Sequence, residues 1–170
     1  DFHRPDLDEV VANVERSGIQ FITLADEPGE ASERKLHELY RLTNFDIPGN
    51  TGDYPWYEEW KKWTIELPGV RPEWIHIAKD GDAYIGVAAL QYNPQSNAMY
   101  HHYTGVLREY RGRRIALALK LLSIKSAIRA GASYMRTHND SMNAPMLRVN
   151  RDLLGFHAEP GQYKMVRLLR

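Results

Sequence analysis

The apolar positions along the chain change their period several times, and each change marks an element. Residues 5–18 (PDLDEVVANVERSG) carry Val10, Val11 and Val14 on one side and stop at Gly18, which predicts a short helix. Residues 19–25 (IQFITLA) are rich in β-branched and aromatic types and predict a strand. Over residues 30–45, Leu36, Leu39, Tyr40 and Leu42 recur at helical spacing, with Ser32 and Glu33 near the start. Residues 46–57 (DIPGNTGDYPWY) are dominated by Gly, Pro, Asn and Asp and predict a loop. A further helix is expected from about Pro55, with Trp56, Trp60 and Trp63 on helical spacing. At least two of these tryptophans are expected in the core; the alternative is a substrate-facing segment whose aromatics line a pocket.

The pattern then alternates. Residues 73–79 (EWIHIAK), 83–92 (AYIGVAALQY) and 98–107 (AMYHHYTGVL) predict three strands, joined by turns at KDGD and NPQSN. From Ile115 the period returns to helical. One apolar stripe holds Ile115, Ala118, Leu119 and Leu122, and a second holds Leu117, Leu121, Ile124 and Ile128. So wide an apolar arc predicts a helix covered on more than one side. After a stop at Ala130-Gly131, residues 132–138 (ASYMRTH) predict a strand. A last helix is capped by Asn143, with Pro145 in its first turn and Gly155 at its end. Phe156–His157 and residues 163–169 finish as strand. A meander followed by strand–helix–strand requires a parallel pair somewhere. The expected class is α/β (α+β), with one mixed, mostly antiparallel sheet and helices on both faces. It forms a single domain over 1–170, with 1–18 as a helical extension.

Composition removes several function classes. Of 170 residues, 43% are hydrophobic and 26% charged, an ordinary globular balance. Lys+Arg and Asp+Glu both number 22, which counts against nucleic acid as the main partner. The chain has no cysteine, so disulfides, thiolate zinc sites and a cysteine nucleophile are excluded. No run reaches the roughly 18 apolar residues of a membrane helix. With no signal-peptide pattern, a cytoplasmic location is the default. The chain begins at Asp1 without Met, as a piece of a longer protein would.

The densest chemistry lies in YRGRRIALALK, residues 110–120. A strand runs into a short loop that opens a helix. The first N–H groups of that helix lack partners and sit at the positive end of its dipole. Gly112 lets the backbone curl, and Arg111, Arg113 and Arg114 add positive charge, as a phosphate or diphosphate requires. A solvated basic turn is the plainer alternative. Neither a Walker loop nor a dinucleotide fingerprint is present.

VLREYRGRRIA (residues 106–116) resembles the loop of the GNAT superfamily of N-acetyltransferases, where Gln/Arg-x-x-Gly-x-Gly/Ala joins a strand to a helix. THNDSMNAPMLRVNRDLLGF (residues 137–156) is similar to that family's second motif, and the element order fits over residues 20–170. The resemblance implies acetyl-CoA as co-substrate, with its pyrophosphate on Arg111, Gly112, Arg113, Arg114, Ile115 and Ala116. It implies pantetheine contacts at Val106, Asn139 and Asn143. The split near Ile19 and the DIPG loop are similar to the second half of a two-domain, mycothiol synthase-like member, so a second GNAT domain or a homodimer stays open as a partner. Two departures stand out. Arg114 occupies the position of the pattern's main glycine. Asn150 stands where the family often has a general-acid tyrosine, and the Asn150–Gly155 spacing is one residue longer than usual.

The resemblance places a proton-relaying histidine four residues before Val106, which is His102. As strand neighbours, His101 and His102 are expected to face opposite ways, His102 with Thr104 and Val106. Ordinary strand roles for both are the plainer alternative. Tyr103 is a second proton carrier. Diverging histidines make a poor ligand pair, so no metal is expected. Asp46 and Asp53 are loop carboxylates, either solvated or facing a cationic amine. The expected function is acetyl transfer from acetyl-CoA to a primary amine of a small molecule or peptide by direct attack. The alternatives are a non-catalytic structural or CoA-binding GNAT-fold domain and, third, an RNA- or nucleotide-binding module.

Overall fold

A computed structural model describes Phe2, residues 4–47 and residues 52–161. The chain divides into two compact units, Asp1–His138 and Asn139–Arg170. The first holds α1 (Val10–Arg16), β1 (Gln20–Thr23), α2 (Glu30–Asn44), α3 (Tyr57–Thr64), β2 (Val70–Asp80), β3 (Ala83–Asn93), β4 (Ala98–Val106), α4 (Ile115–Arg129) and β5 (Tyr134–Thr137). The second holds α5 (Ala144–Leu147) and a π-helical turn over Arg148–Leu153. Phe156–His157 joins no strand. The strand expected over 163–169 lies outside the described residues.

The sheet order is β1-β2-β3-β4-β5. The first four strands are antiparallel neighbours, and β5 lies parallel to β4, which is the parallel pair the connectivity demanded. β2 turns into β3 through Gly81 and Asp82. The turn from β3 to β4 is held by the Asn93 carboxamide, which accepts from the Gln95 N–H at 2.9 Å.

Helices cover both faces. On one, α2 buries Leu36, Leu39, Tyr40 and Thr43, a single helical stripe, against Ile75, Ile77, Val87 and Ala89. α3 adds Trp60. Glu33 fastens α3 to α2 by accepting from the Tyr57 hydroxyl at 2.5 Å and the Lys61 ammonium at 2.7 Å. Of Trp56, Trp60 and Trp63, Trp60 alone is core, at 2% exposed; Trp56 and Trp63 are 86% and 65% exposed. Trp56 precedes the first helical residue with an extended backbone (ψ 158°), so the helical spacing never applied to it. Leu42 and Ile128 also point outward, off the buried stripes.

On the other face, Ile115 and Leu119 of α4 lie over Gly86, beside Val106. Ala127 packs with Leu90 and Met99. The same apolar helix buries one lysine, Lys120, as completely as its leucines.

Candidate functional site

The site begins with β4. β4 pairs with β5 only from Ala98↔Tyr134 to His101↔Thr137. Beyond that point β4 runs on to Val106 with no strand on this edge among the described residues. The Leu107 N–H bonds to the Ile85 carbonyl of β3 at 2.9 Å. By strand alternation, the Val106 N–H and C=O therefore face the open edge.

At the parting point β4 carries a β-bulge. Ala89 pairs with Tyr103 and Leu90 with His101, so His102 is the extra residue. The two histidines still face different ways, but the bulge overturns the side expected for each. His101, not His102, lies with Thr104, its Nδ1 3.4 Å from the Thr104 hydroxyl. It is fully buried on the α4 side, and its Nε2 has no partner among the described residues. Burial, then the nearby Lys120 ammonium, holds its pKa well below the usual histidine value. His102 instead sets its ring edge-on to Tyr100 at 6.0 Å. Neither nitrogen of His102 is hydrogen-bonded among the described residues, and burial lowers its pKa. Its imidazole is thus a neutral acceptor at pH 7. Tyr103 faces α2, stacked on Tyr40 at 4.2 Å with its hydroxyl 2.8 Å from that of Thr43. Burial pushes its phenol up to about 12.

Past Val106, a short turn at Arg108–Tyr110 leads to Gly112 and into α4. Gly112 has φ +78°, with open space where a side chain would be. Arg114 is the residue just before the helix. It takes φ +61° and ψ 12°, the left-handed conformation of a glycine. The backbone thus keeps the shape that a glycine would supply, with a side chain added. Its side chain caps nothing, so the N–H groups of Ile115, Ala116 and Leu117 are left without intrahelical partners. An arginine in this conformation costs about 1 kcal/mol or more. Arg114→Gly is expected to stabilise the fold by about 0.5–1 kcal/mol in urea denaturation.

The arginines divide their work differently from the expectation. Arg111 does not stand free for a ligand: its Nε donates to the Val106 carbonyl at 3.0 Å, and its guanidinium ion-pairs with Asp46. Arg108 ion-pairs with the same carboxylate. The Arg108 guanidinium first, then Arg111, holds the Asp46 carboxyl below its ordinary value. Asp46 is therefore a partly exposed strut between the end of α2 and the loop, its two carboxylate oxygens engaged by guanidiniums. Arg113 lies over the Tyr110 ring at 5.3 Å, and the Tyr110 hydroxyl donates to Asp80 at 3.0 Å. Arg113 and Arg114 remain exposed.

In the second unit, Asn143 caps α5 by accepting from the Met146 N–H at 3.3 Å. Asn139 accepts from the Asn150 carboxamide at 2.5 Å. Asn150 is 3% exposed. The extra residue in the Asn150–Gly155 spacing is absorbed by the π-helical turn, where the Leu154 N–H reaches back five residues to the Val149 carbonyl at 3.0 Å. Among the described residues no cluster of metal-ligating side chains occurs, and no helix is long and apolar enough to cross a membrane.

The profile of the acetyltransferase (GNAT) family matches residues 35–156, which include the open strand edge, the loop and the π-helical turn. The chain belongs to the GNAT family. No curated protein matches this GNAT chain. Many solved structures share its fold. A transcriptional regulator from Bacillus halodurans does so with TM-score 0.67 at 15% identity, over 88% of this chain and 99% of its own. An aminoglycoside acetyltransferase from an uncultured soil metagenomic sample, solved with sisomicin, has TM-score 0.64 at 15% identity, over 91% and 99%. The NatC complex bound to Gag peptide and CoA has TM-score 0.61 at 18% identity, over 79% and 82%. These similarities are of fold. Sequence spacing alone carried no sign of the bulge, because every residue of AMYHHYTGV suits a regular strand.

Proposed function

We propose that this GNAT domain transfers an acetyl group from acetyl-CoA to a primary amine of a small molecule or peptide. The observation that carries the proposal is the continuity of the open β4 edge with an uncapped helix N-terminus. In this reading, the diphosphate is held by the N–H groups of Ile115 and Ala116, with Gly112 giving access and Arg113 and Arg114 adding charge. The pantetheine arm runs along β4 and takes the Val106 N–H; the Val106 carbonyl is already committed to Arg111. Arg111 acts as a positioning residue for the loop. Asn139 and Asn143 are assigned to pantetheine on the family resemblance. CoA supplies the activated acyl group as a thioester. The amine attacks the thioester carbon, the C–N bond forms, the C–S bond breaks with its electron pair going to sulfur, and CoA leaves as a thiolate that takes up a proton from solvent. The attacking nitrogen loses a proton, which His102 accepts, directly or through water. Tyr103, at about 12, holds its proton firmly and is the poorer exchanger. The NatC complex bound to Gag peptide and CoA and the sisomicin-bound aminoglycoside acetyltransferase share this fold, which supports an amine acceptor.

A non-catalytic CoA-binding role is the second reading. It is favoured by Asn150, which fills the tyrosine position with a buried carboxamide, and by the similar fold of a transcriptional regulator.

The test is a thermal titration with acetyl-CoA and with CoA. A native-state ligand at roughly 100 times its Kd adds about 2.7 kcal/mol and raises the melting temperature. Gly112→Asp, which sets a carboxylate against the diphosphate, is expected to remove that shift. No shift with acetyl-CoA at millimolar concentration refutes the co-substrate. A shift without thiol release across a panel of amines selects the second reading.

A further inference from the structure

A separate cavity of about 570 Å³ lies at the other end of α4 from the loop. The rise along α4 separates the two by ~21 Å. Its volume falls within the range of small-molecule sites. Its floor is a buried polar pair: His76 of β2 and Ser126 of α4 are 5% and 7% exposed, with Nε2 and Oγ 3.0 Å apart. Burial, then Arg129, pushes His76 down to about 4, so the floor offers hydrogen bonds without charge. One wall is aromatic, Trp74 meeting Tyr92 edge to face at 6.2 Å.

Two guanidiniums border the same space. Arg71 lies over the Trp74 ring at 4.8 Å, and its only carboxylate contact among the described residues is Glu73 at 3.9 Å. Arg129 has no carboxylate partner among the described residues. Its contacts are donations at 3.4 Å to the Lys125 carbonyl and the Ser126 hydroxyl, both at the long limit of a hydrogen bond. A guanidinium held so loosely beside an aromatic wall is available for a bidentate carboxylate.

We propose that this cavity is a second ligand site, taking a one- or two-ring planar aromatic carboxylate. The ring lies against Trp74 and Tyr92, and the carboxylate meets Arg129 with Arg71 at the rim. The site stands independently of the acyl-transfer reading, because none of its residues belongs to the loop or the open strand edge.

The experiment is an amide-resolved NMR titration of the whole chain with benzoate and with indole-3-carboxylate. Indole-3-carboxamide and cyclohexanecarboxylate serve as controls. Saturable shifts around Trp74 and Arg129, with a Kd of roughly 1 mM or below, are expected for the aromatic carboxylates. Arg129→Gln and Trp74→Leu are each expected to weaken binding by roughly tenfold or more. Unchanged melting temperatures show that the variants fold. Gly112→Asp is expected to leave this binding intact. The proposal is overturned by linear, unsaturating shifts up to roughly 10 mM. Equal binding of the carboxamide, or loss of binding in Gly112→Asp, overturns it as well.

Discussion

Lys120→Met is expected to stabilise the protein by roughly 3–5 kcal/mol at pH 7, with the gain fading as the pH rises toward 10.5. Lys120 lies within α4 at 2% exposed, and no hydrogen bond or ion pair engages its ammonium among the described residues. Burial lowers its pKa from 10.5 to about 7. On the sheet, the Lys120 ammonium acts on His101 of β4, which burial keeps neutral and which offers no negative charge. The sign follows from proton counting. Between pH 7 and 10.5 the unfolded chain binds a proton at this lysine and the native chain does not. Stability therefore rises with pH by about 1.4 kcal/mol per unit across that window. Below pH 7 both states are protonated and the cost of the buried cation is constant. Methionine matches the length and flexibility of the lysine stem and carries no charge to desolvate. Urea denaturation of both proteins at pH 6.5, 8 and 9.5 checks this. A difference that does not change with pH, or a less stable variant, would mean that the ammonium has a partner in the fold. In the variant, the His101 pKa should also rise, since the second of the causes depressing it is removed.

Gly69→Ala should cost more than about 3 kcal/mol and lower the melting temperature by roughly 6–12 °C. Gly69 sits at the start of β2 with φ +85°, and a Cβ there would lie 2.1 Å from the Tyr92 carbonyl oxygen. Its own carbonyl accepts from the Tyr92 N–H at 2.8 Å. Two penalties combine. An L-residue at this φ costs about 1–2 kcal/mol, and the backbone of β3 must move, because the clash is with main chain and not with a flexible side-chain end. Gly18→Ala separates them. Gly18 has φ +92° but open space around its Cβ position, so it should show the conformational cost alone, about 1 kcal/mol. Equal losses at the two sites would remove the packing contribution.

Local chemistry made most of the elements legible. The stripe of Leu36, Leu39 and Tyr40, the KDGD turn, the alternating runs and the Asn143 cap each act within a few residues of themselves, and each appears where its pattern lies. The loop was equally readable, since the arginines, Gly112 and the strand-to-helix change all fall within VLREYRGRRIA. The departure at Arg114 was visible as a residue type. Its left-handed backbone was not, because φ is set by how the strand end and the helix start are held. The partnering of Arg111 was also illegible. Asp46 lies 65 positions away in the chain, and the fold alone brings the two together.

The sequence by itself determined the strand and helix order from α1 through α5, the mixed sheet, the basic glycine loop between β4 and α4 and the family, because periodicity and short motifs encode themselves locally. The tertiary structure alone decided which histidine faces which side, which tryptophan is buried, and that a lysine lies inside an apolar helix face. Two physical reasons cover the three. One extra residue in β4 reverses the facing of every side chain on one side of the bulge, and burial is a property of what packs opposite a residue, which the residue's own neighbours in sequence do not encode.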